Sequence, residues 1–209
     1  MPPNGGTLAM SKIIIVFLAV YFISFFGLSV VWRNYAVAKK TGANAFKLNK
    51  KTGAEAITSL YFKYLPLVSI LVFILYAFFP AIYQLLGPVA LISHKPFQLL
   101  GMAIMIIALP WIVIAQSQMG ASWRIGIDHD EKTEFIENGL FRHSRNPIFV
   151  GVIFLSFGFF LVLPNPLTLT ILMLDIALIQ IQVAMEEQFL TETHGEEYTK
   201  YCKHVRRWV

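Results

Sequence analysis

Two long apolar runs are joined by a proline-rich turn in residues 148–185, which read IFVGVIFLSFGFFLVLPNPLTLTILMLDIALIQIQVAM. Residues 148–163 and 167–185 each approach the length of about 20 apolar residues that a membrane-crossing helix needs. Pro164-Asn165-Pro166 allows only a short connection, because proline cannot continue a helix and favours turns. The stretch therefore predicts a tight antiparallel hairpin of membrane helices.

The remainder of the chain also has the composition of a membrane protein. Of the 209 residues, 56% are hydrophobic and 14% charged, with a mean hydropathy of +0.63, whereas a soluble domain carries about 25% charged residues. Three further apolar runs cover residues 13–32, 61–79 and 97–115. We therefore predict an all-α integral-membrane bundle of about five transmembrane helices, as a single membrane domain over residues 1–209. Residues 81–93 are apolar but interrupted by Gly87-Pro88, which fits either an interfacial or a re-entrant segment.

The basic residues predict the orientation of this bundle. If the N-terminus lies outside and the five runs alternate, all 17 lysines and arginines except Lys12 and Lys95 fall on the inner side. Such an excess of positive charge marks the cytosolic face. The net charge of +5 thus reflects orientation and contact with lipid headgroups, and excludes nucleic acid as the expected partner. Ten of the 12 acidic residues fall on the same side, in residues 116–147 and 184–209.

Metal and common nucleotide sites are not expected. Cys202 is the single cysteine, and the five histidines show no pair at metal-ligand spacing. The sequence also has no G-x-G-x-x-G, no phosphate-binding loop and no nucleophile elbow.

Asp175 is an ionisable residue in the middle of an apolar run, which is costly in a bilayer and often functional. Helical spacing places it on one face with Gln182 and Glu186, and that face must point into the bundle. A structural hydrogen bond from Asp175 to a neighbouring helix explains this pattern equally well.

A second polar group precedes the hairpin, in residues 139–147, which read GLFRHSRNP. Asn146 and Pro147 are ordinary signals for the start of a helix, with Asn146 as its cap. Arg142 and Arg145 would then anchor to lipid phosphate, or they would form part of a site. After the hairpin, residues 184–209 predict a C-terminal amphipathic cytosolic helix, whose aromatic and basic residues also fit a peripheral anchor.

These motifs together resemble the isoprenylcysteine carboxyl methyltransferase and phospholipid methyltransferase superfamily. Its signature reads G-x-[YF]-R-x-x-R-H-P-x-[YF]-x-G, then a helical hairpin, E-E-x-x-[LF], G-x-x-Y-x-x-Y and a basic residue. The matching residues here are Gly139, Phe141, Arg142, Arg145, Asn146, Pro147, Phe149, Gly151, Glu186, Glu187, Leu190, Gly195, Tyr198, Tyr201, and Arg206 or Arg207. Asn146 replaces the usual histidine and cannot titrate near neutral pH, so this position is expected to bind rather than to act as a base.

The resemblance implies an S-adenosylmethionine-dependent membrane methyltransferase with a cytosolic cofactor pocket. By this resemblance the catalytic residues are Arg145, Glu187 and Arg206. The residues expected to bind S-adenosylmethionine are Phe141, Arg142, Arg145, Asn146, Pro147, Glu186, Glu187, Tyr198 and Tyr201. Trp123 is a further candidate for an aromatic wall of the pocket.

The acceptor is expected to be hydrophobic or lipid-like, and membrane lipid is the expected surrounding. O-methylation of a prenylcysteine-like carboxylate is the first expectation. N-methylation of a phospholipid amine is the alternative within the same superfamily, and a nicotinamide-dependent reductase is a more distant one. A membrane scaffold or transport subunit without enzymatic activity explains the apolar runs but not the spacing of the polar motifs.

Overall fold

A computed structural model describes residues 5–42, 53–123 and 135–209. These ranges are helical, without β-strands, which confirms the predicted all-α class. The α-helices are α1 Gly5–Phe25, α2 Arg33–Thr41, α3 Gly53–Phe78, α4 Pro80–Leu85, α5 Lys95–Gln118, α6 Pro147–Val162, α7 Pro166–His194 and α8 Glu196–His204. Residues Phe26–Trp32 form a π-helical segment that joins α1 to α2 without a break.

Four helices are long and apolar enough to cross a membrane in the described part of the chain. They are Ala9–Thr41, which combines α1, the π-helical segment and α2, then α3, α5 and α7. The shorter apolar helix α6 packs between α5 and α7. The chain is thus an integral membrane protein, and the five predicted apolar runs correspond to these five helices.

Apart from α6, the membrane helices are longer than the apolar runs that predicted them. The first continues to Thr41, the second begins at Gly53, and the last continues to His194. Hydropathy measures only the apolar stretch, whereas a helix continues until its backbone is interrupted. At Gly42 and Gly195 the backbone has φ of 70° and 56°, a conformation that glycine adopts easily and that commonly ends helices.

The predicted hairpin is present, with a tight turn between α6 and α7. The Asn165 side chain accepts hydrogen bonds from the backbone N–H of Leu167 and Thr168, at 3.0 and 3.1 Å. The Thr168 hydroxyl accepts in return from the Asn165 N–H at 3.2 Å. This reciprocal cap satisfies backbone donors that would otherwise be buried without a partner at the start of α7.

Residues 81–93 lie against this turn. They contain the end of α4, whose Tyr83 is buried, and a short 3₁₀ turn at Ala90–Ile92. The Val89 N–H donates to the Pro164 carbonyl at 2.9 Å. The segment therefore covers the α6–α7 turn at the end of the bundle opposite to α8.

Helices α5 and α6 approach each other closely at a pair of glycines. A Cβ atom added to Gly101 would lie 2.6 Å from the Gly158 carbonyl oxygen, and one added to Gly158 would lie 2.8 Å from the Gly101 oxygen. Further along, a Cβ at Gly151 would lie 2.5 Å from Ile112. Small residues allow two backbones to come into contact in a membrane, where packing rather than hydrophobicity drives helix association. The α5–α6 pair is thereby a fixed frame for the segment that precedes α6.

Candidate active site

The carboxylate of Glu187 lies between two arginines in the C-terminal part of α7. Arg145 donates to Glu187 Oε1 from Nε at 3.1 Å and from a terminal nitrogen at 2.8 Å. Arg207 donates to both carboxylate oxygens, with its Nε 3.1 Å from Oε1. The side chains of Arg145 and Glu187 are 13% and 14% exposed, whereas that of Arg207 is 43% exposed. Two guanidinium groups thus share one carboxylate, and only Arg207 is substantially open to water.

The segment after α8 holds this arrangement in place through its backbone. The Arg206 carbonyl accepts from the Arg145 N–H at 2.9 Å. The Arg145 guanidinium also donates to the Cys202 and Val205 carbonyls at 3.3 and 3.4 Å. Four partners therefore fix Arg145. Its backbone N–H meets the Arg206 carbonyl, and its fork of side-chain donors meets two further carbonyls and the Glu187 carboxylate.

The predicted role of Asn146 as a side-chain cap of α6 is wrong. Asn146 does precede the first helical residue, Pro147, but its side chain makes no capping hydrogen bond. Its amide Nδ2 donates instead to the Arg207 carbonyl at 3.1 Å. The Asn146 side chain therefore holds the C-terminal segment and not the start of α6.

Arg206 and Arg207 contribute in different ways. The side chain of Arg207 reaches Glu187, whereas Arg206 is exposed and supplies its backbone carbonyl to Arg145. Sequence reasoning allowed either arginine as the basic residue of the motif. In this extended segment, neighbouring side chains point in opposite directions, so only the Arg207 side chain faces Glu187. The spacing of the motif does not predict which of the two arginines does so. A catalytic role for Arg206 stays a prediction.

Aromatic side chains close the outer side of the site. Tyr198 and Tyr201 in α8 are buried, and the Phe135 ring packs edge-on against both, at centroid distances of 5.6 and 4.9 Å. The Tyr201 hydroxyl donates to the Phe141 carbonyl at 2.6 Å. Burial raises the pKa of Tyr198 and raises that of Tyr201 to about 12. Both phenols therefore remain protonated at neutral pH and serve as walls or donors, not as bases.

The turn that carries Phe141 is fixed against the end of α5. Gly139 has φ of 65°, and a Cβ there would lie 2.4 Å from the Gln118 side chain. The Leu140 N–H donates to Gln118 Oε1 at 2.8 Å. Glycine is required because other residues rarely adopt this φ, which explains the first position of the motif.

Two other predicted site residues lie apart from Glu187. Arg142 is exposed on the outer surface, in a polar depression shared with Glu137, Lys200 and His204. Pro147 accepts a hydrogen bond at its carbonyl from Trp111 Nε1 at 2.8 Å, which ties the start of α6 to α5. In the described ranges, no group of three or more histidine, cysteine or acidic residues is arranged to hold a metal ion.

An apolar cavity of about 490 Å³ lies within the bundle, between α1, α3, α5, α6 and α7. The polar face predicted for α7 lines this cavity with Asp175, Gln182 and Glu186. Thr58 of α3 donates to Gln182 at 3.1 Å, and Gln182 donates to Glu186 at 2.8 Å. The predicted direction of this face is thus confirmed. Thr58 was not identified from the sequence, because an isolated threonine in an apolar helix gives no signal.

Glu186 and Glu187 point to different sides of α7. Successive residues of an α-helix are separated by about 100° around its axis. Glu186 therefore lines the apolar cavity while Glu187 pairs with Arg145 and Arg207. Consecutive residues of α7 therefore face two different sites. One is the apolar cavity, and the other is the group of Arg145, Glu187 and Arg207, which we call the polar centre.

Asp175 is buried and accepts a hydrogen bond from the Ser156 hydroxyl of α6. We expect Asp175→Asn to lower the thermal stability or the use of the hydrophobic acceptor expected from the sequence, while affinity for the expected cofactor, S-adenosylmethionine, stays within a factor of two or so. Asparagine keeps an oxygen that can accept from Ser156 but cannot carry a negative charge beside the cavity. Thermal denaturation and cofactor titration of the same sample separate the two effects. Loss of cofactor affinity in a folded variant would show that Asp175 acts on the polar centre.

Comparisons with known proteins agree with this architecture. Residues 96–197 match the family model of phospholipid methyltransferases. The fold is similar to the structure of the eukaryotic intramembrane Ras methyltransferase, an isoprenylcysteine carboxyl methyltransferase, with a TM-score of 0.58 and 16% identity. That similarity covers 90% of this chain and 72% of the other. No curated protein matches the sequence.

The fold is that of an integral-membrane protein similar to the intramembrane methyltransferase. The family match over residues 96–197 and the shared fold both support the predicted resemblance to the isoprenylcysteine carboxyl and phospholipid methyltransferases.

Proposed function

We propose that this protein transfers a methyl group from S-adenosylmethionine to a hydrophobic acceptor at the cytosolic boundary of the membrane. The observation that carries the proposal is the position of Glu186 and Glu187. One lines an apolar cavity large enough for a lipidic chain, and the other lies in a polar centre with Arg145. A water-soluble cofactor bound at Glu187 and a membrane-borne acceptor bound in the cavity at Glu186 would thus lie on adjacent sides of the same turn of α7.

The residues of the polar centre fit the charges of S-adenosylmethionine. Glu187 would hold the ammonium of its amino-acid part, and Arg145 would hold the carboxylate in a bidentate fork. Arg207 is exposed enough to turn away when the ammonium takes its place beside Glu187. The remaining residues proposed to line the cofactor pocket or orient its groups are Phe141, Arg142, Asn146, Pro147, Glu186, Tyr198, Tyr201 and Arg206.

S-adenosylmethionine, when bound, supplies a methyl group activated by a sulfonium. The chain then has to align the acceptor and exclude water, since in-line attack gains most from orientation. Arg145 offers only N–H donors and Asn146 carries a neutral amide, so they bind rather than move protons. This suits an acceptor that needs no deprotonation, and O-methylation of a prenylcysteine-like carboxylate is the proposed reaction.

N-methylation of a phospholipid amine is the second candidate. Glu186 lines the cavity beside Gln182 and could take up the proton that an amine loses on methylation. The family match to phospholipid methyltransferases also supports this candidate. In either case, the concentration of lysines and arginines on one side of the bundle supports a cytosolic C-terminus and a cytosolic cofactor site, with the N-terminus outside.

Calorimetric titration of the detergent-purified protein with S-adenosylmethionine and S-adenosylhomocysteine tests the proposal, with NADPH as a control. Saturable binding of the first two, and none of NADPH, is the expected result. NADPH binding alone would indicate a reductase. A folded sample that binds none of the three would favour a scaffold or transport subunit and overturn the proposal.

A further inference from the structure

The π-helical segment brings polar groups to one end of the apolar cavity. Ser29 lies in this segment, and Gln116 lies in the last turn but one of α5. Both side chains are buried, with 1% and 6% of their surface exposed, and both line the cavity. π-Helical turns are rare and occur frequently at functional sites. This corner of the cavity also contains Trp123, and it belongs to none of the motifs that predicted the polar centre.

Three buried polar atoms in or beside this corner have no hydrogen-bond partner among the residues that the structure describes. Ser29 Oγ and Gln116 Oε1 belong to residues that line the cavity. Arg33 Nε lies behind the lining, in a side chain that stacks over the cavity residue Trp123. Gln116 Nε2 donates to the Ser29 carbonyl at 3.2 Å, which fixes the orientation of the amide because a carbonyl can only accept. Gln116 Oε1 is therefore left as an acceptor. A buried polar group without a partner costs roughly 1–3 kcal/mol, and such groups together indicate a place where a ligand binds.

Arg33, one helical turn beyond Ser29, adds a buried positive charge. It is 7% exposed, donates to the Gly120 carbonyl and stacks over the Trp123 ring at 5.7 Å. Within the described ranges, the ion pairs join Arg145 and Arg207 to Glu187, and Lys200 to Glu196. Arg33 has no carboxylate partner there. Burial of a cation is unfavourable, and an anionic group of a ligand beside Arg33 would lower that cost.

We propose that Ser29, Arg33 and Gln116 form an anchor for the headgroup of an amphiphile whose apolar chain occupies the cavity. The headgroup carries an anionic oxygen group, a carboxylate or a phosphate, next to a hydrogen-bond donor. The anionic oxygens are held by Arg33 and by the Ser29 hydroxyl, and the donor is held by Gln116 Oε1. The inference rests on the proposed function and deepens it: the N-terminal helix contributes to binding of the acceptor, in the same cavity that Glu186 lines.

The direct test is equilibrium binding of defined amphiphiles to the full chain in an uncharged maltoside detergent, without cofactor. The probes are N-acetyl-S-farnesylcysteine, its uncharged methyl ester, and lysophosphatidylethanolamine. The wild-type protein is expected to bind at least one anionic probe. Arg33→Gln should weaken that binding roughly 10- to 100-fold, the effect of losing a charge-assisted hydrogen bond. Lys40→Gln, which removes the same charge from an exposed position on the same helix, should leave it unchanged.

Ser29→Ala gives a second test that does not endanger the fold. Because the Ser29 hydroxyl has no partner in the described part of the protein, its removal should leave the thermal midpoint unchanged or slightly higher. It should nevertheless weaken binding of the anionic probe by roughly fivefold. A residue with a purely structural role would change the midpoint and not the affinity.

The outcomes are separable. If the wild-type protein prefers farnesylcysteine to its ester and Arg33→Gln loses this preference, the anchored group is a carboxylate. If only the lysophospholipid binds, the anchored group is a phosphate. Equal binding of acid and ester, wild-type affinity in Ser29→Ala, or no binding of any probe would overturn the anchor. Titration of S-adenosylmethionine into the same samples reports on the proposed function independently, because the anchor is measured without cofactor.

Discussion

Replacing Glu187 by glutamine is expected to weaken S-adenosylmethionine binding by roughly 30- to 150-fold. The variant loses the negative charge that would hold the cofactor's ammonium, and a hydrogen bond to a charged group contributes about 2–3 kcal/mol. Thermal stability without cofactor should fall by much less. Arg145 retains the Cys202 and Val205 carbonyls, and the exposed Arg207 can turn into water. Calorimetric titration and thermal denaturation of the variant measure the two quantities.

Glu192→Gln is the matched control for this prediction. Glu192 lies on the same helix, is exposed, and accepts a hydrogen bond from Gln188 at 2.9 Å. The same loss of charge there should leave cofactor affinity within about twofold. Unchanged affinity in Glu187→Gln would show that the two arginines and the carboxylate stabilise the chain end and do not bind the cofactor.

Gly101→Ala is expected to destabilise the protein by about 3 kcal/mol, the upper end of the usual cost of overpacking. The new methyl group would lie 2.6 Å from the Gly158 carbonyl oxygen and 2.9 Å from Leu161 Cβ. Both obstacles belong to α6 itself, so α5 and α6 would have to separate. The start of α6 carries Asn146 and Arg145, and cofactor affinity should therefore fall together with stability. Denaturation midpoints in detergent check the change.

The control for Gly101→Ala is Gly27→Ala, since nothing lies within 4 Å of a Cβ atom added at Gly27. That variant should denature at the wild-type temperature or slightly above, because alanine is the better helix former. If Gly101→Ala were as stable as Gly27→Ala, close contact between the two backbones would have no role in holding α5 to α6.

Local patterns in the sequence predicted the helices and the residues that surround Glu187, but not how those residues pair. Apolar length and helical spacing depend on neighbours in the chain, so they predicted five helices and the inward face of Asp175. The bond from Asn146 to the Arg207 carbonyl spans most of the hairpin and α8, and no local rule contains it. A local rule assigned Asn146 to capping because Asn before Pro is common there.

Arg33 was missed for a similar reason. In the sequence it follows an apolar run and counts as one more cytosolic positive charge. Its burial depends on Trp123 and Gly120, which lie far along the chain, and on the wide turn at Phe26–Trp32. A π-helical turn has no reliable sequence pattern, so the direction in which Arg33 leaves the helix could not be predicted.

The glycine contact between α5 and α6 also restricts the route by which a membrane-borne molecule can reach the cavity. Where the two backbones touch at Gly101 and Gly158, no acyl or prenyl chain can slide between them. A molecule that enters the cavity from the bilayer must therefore pass between another pair of helices. The boundaries that remain are those that α1, α3 and α7, which also line the cavity, form with their neighbours.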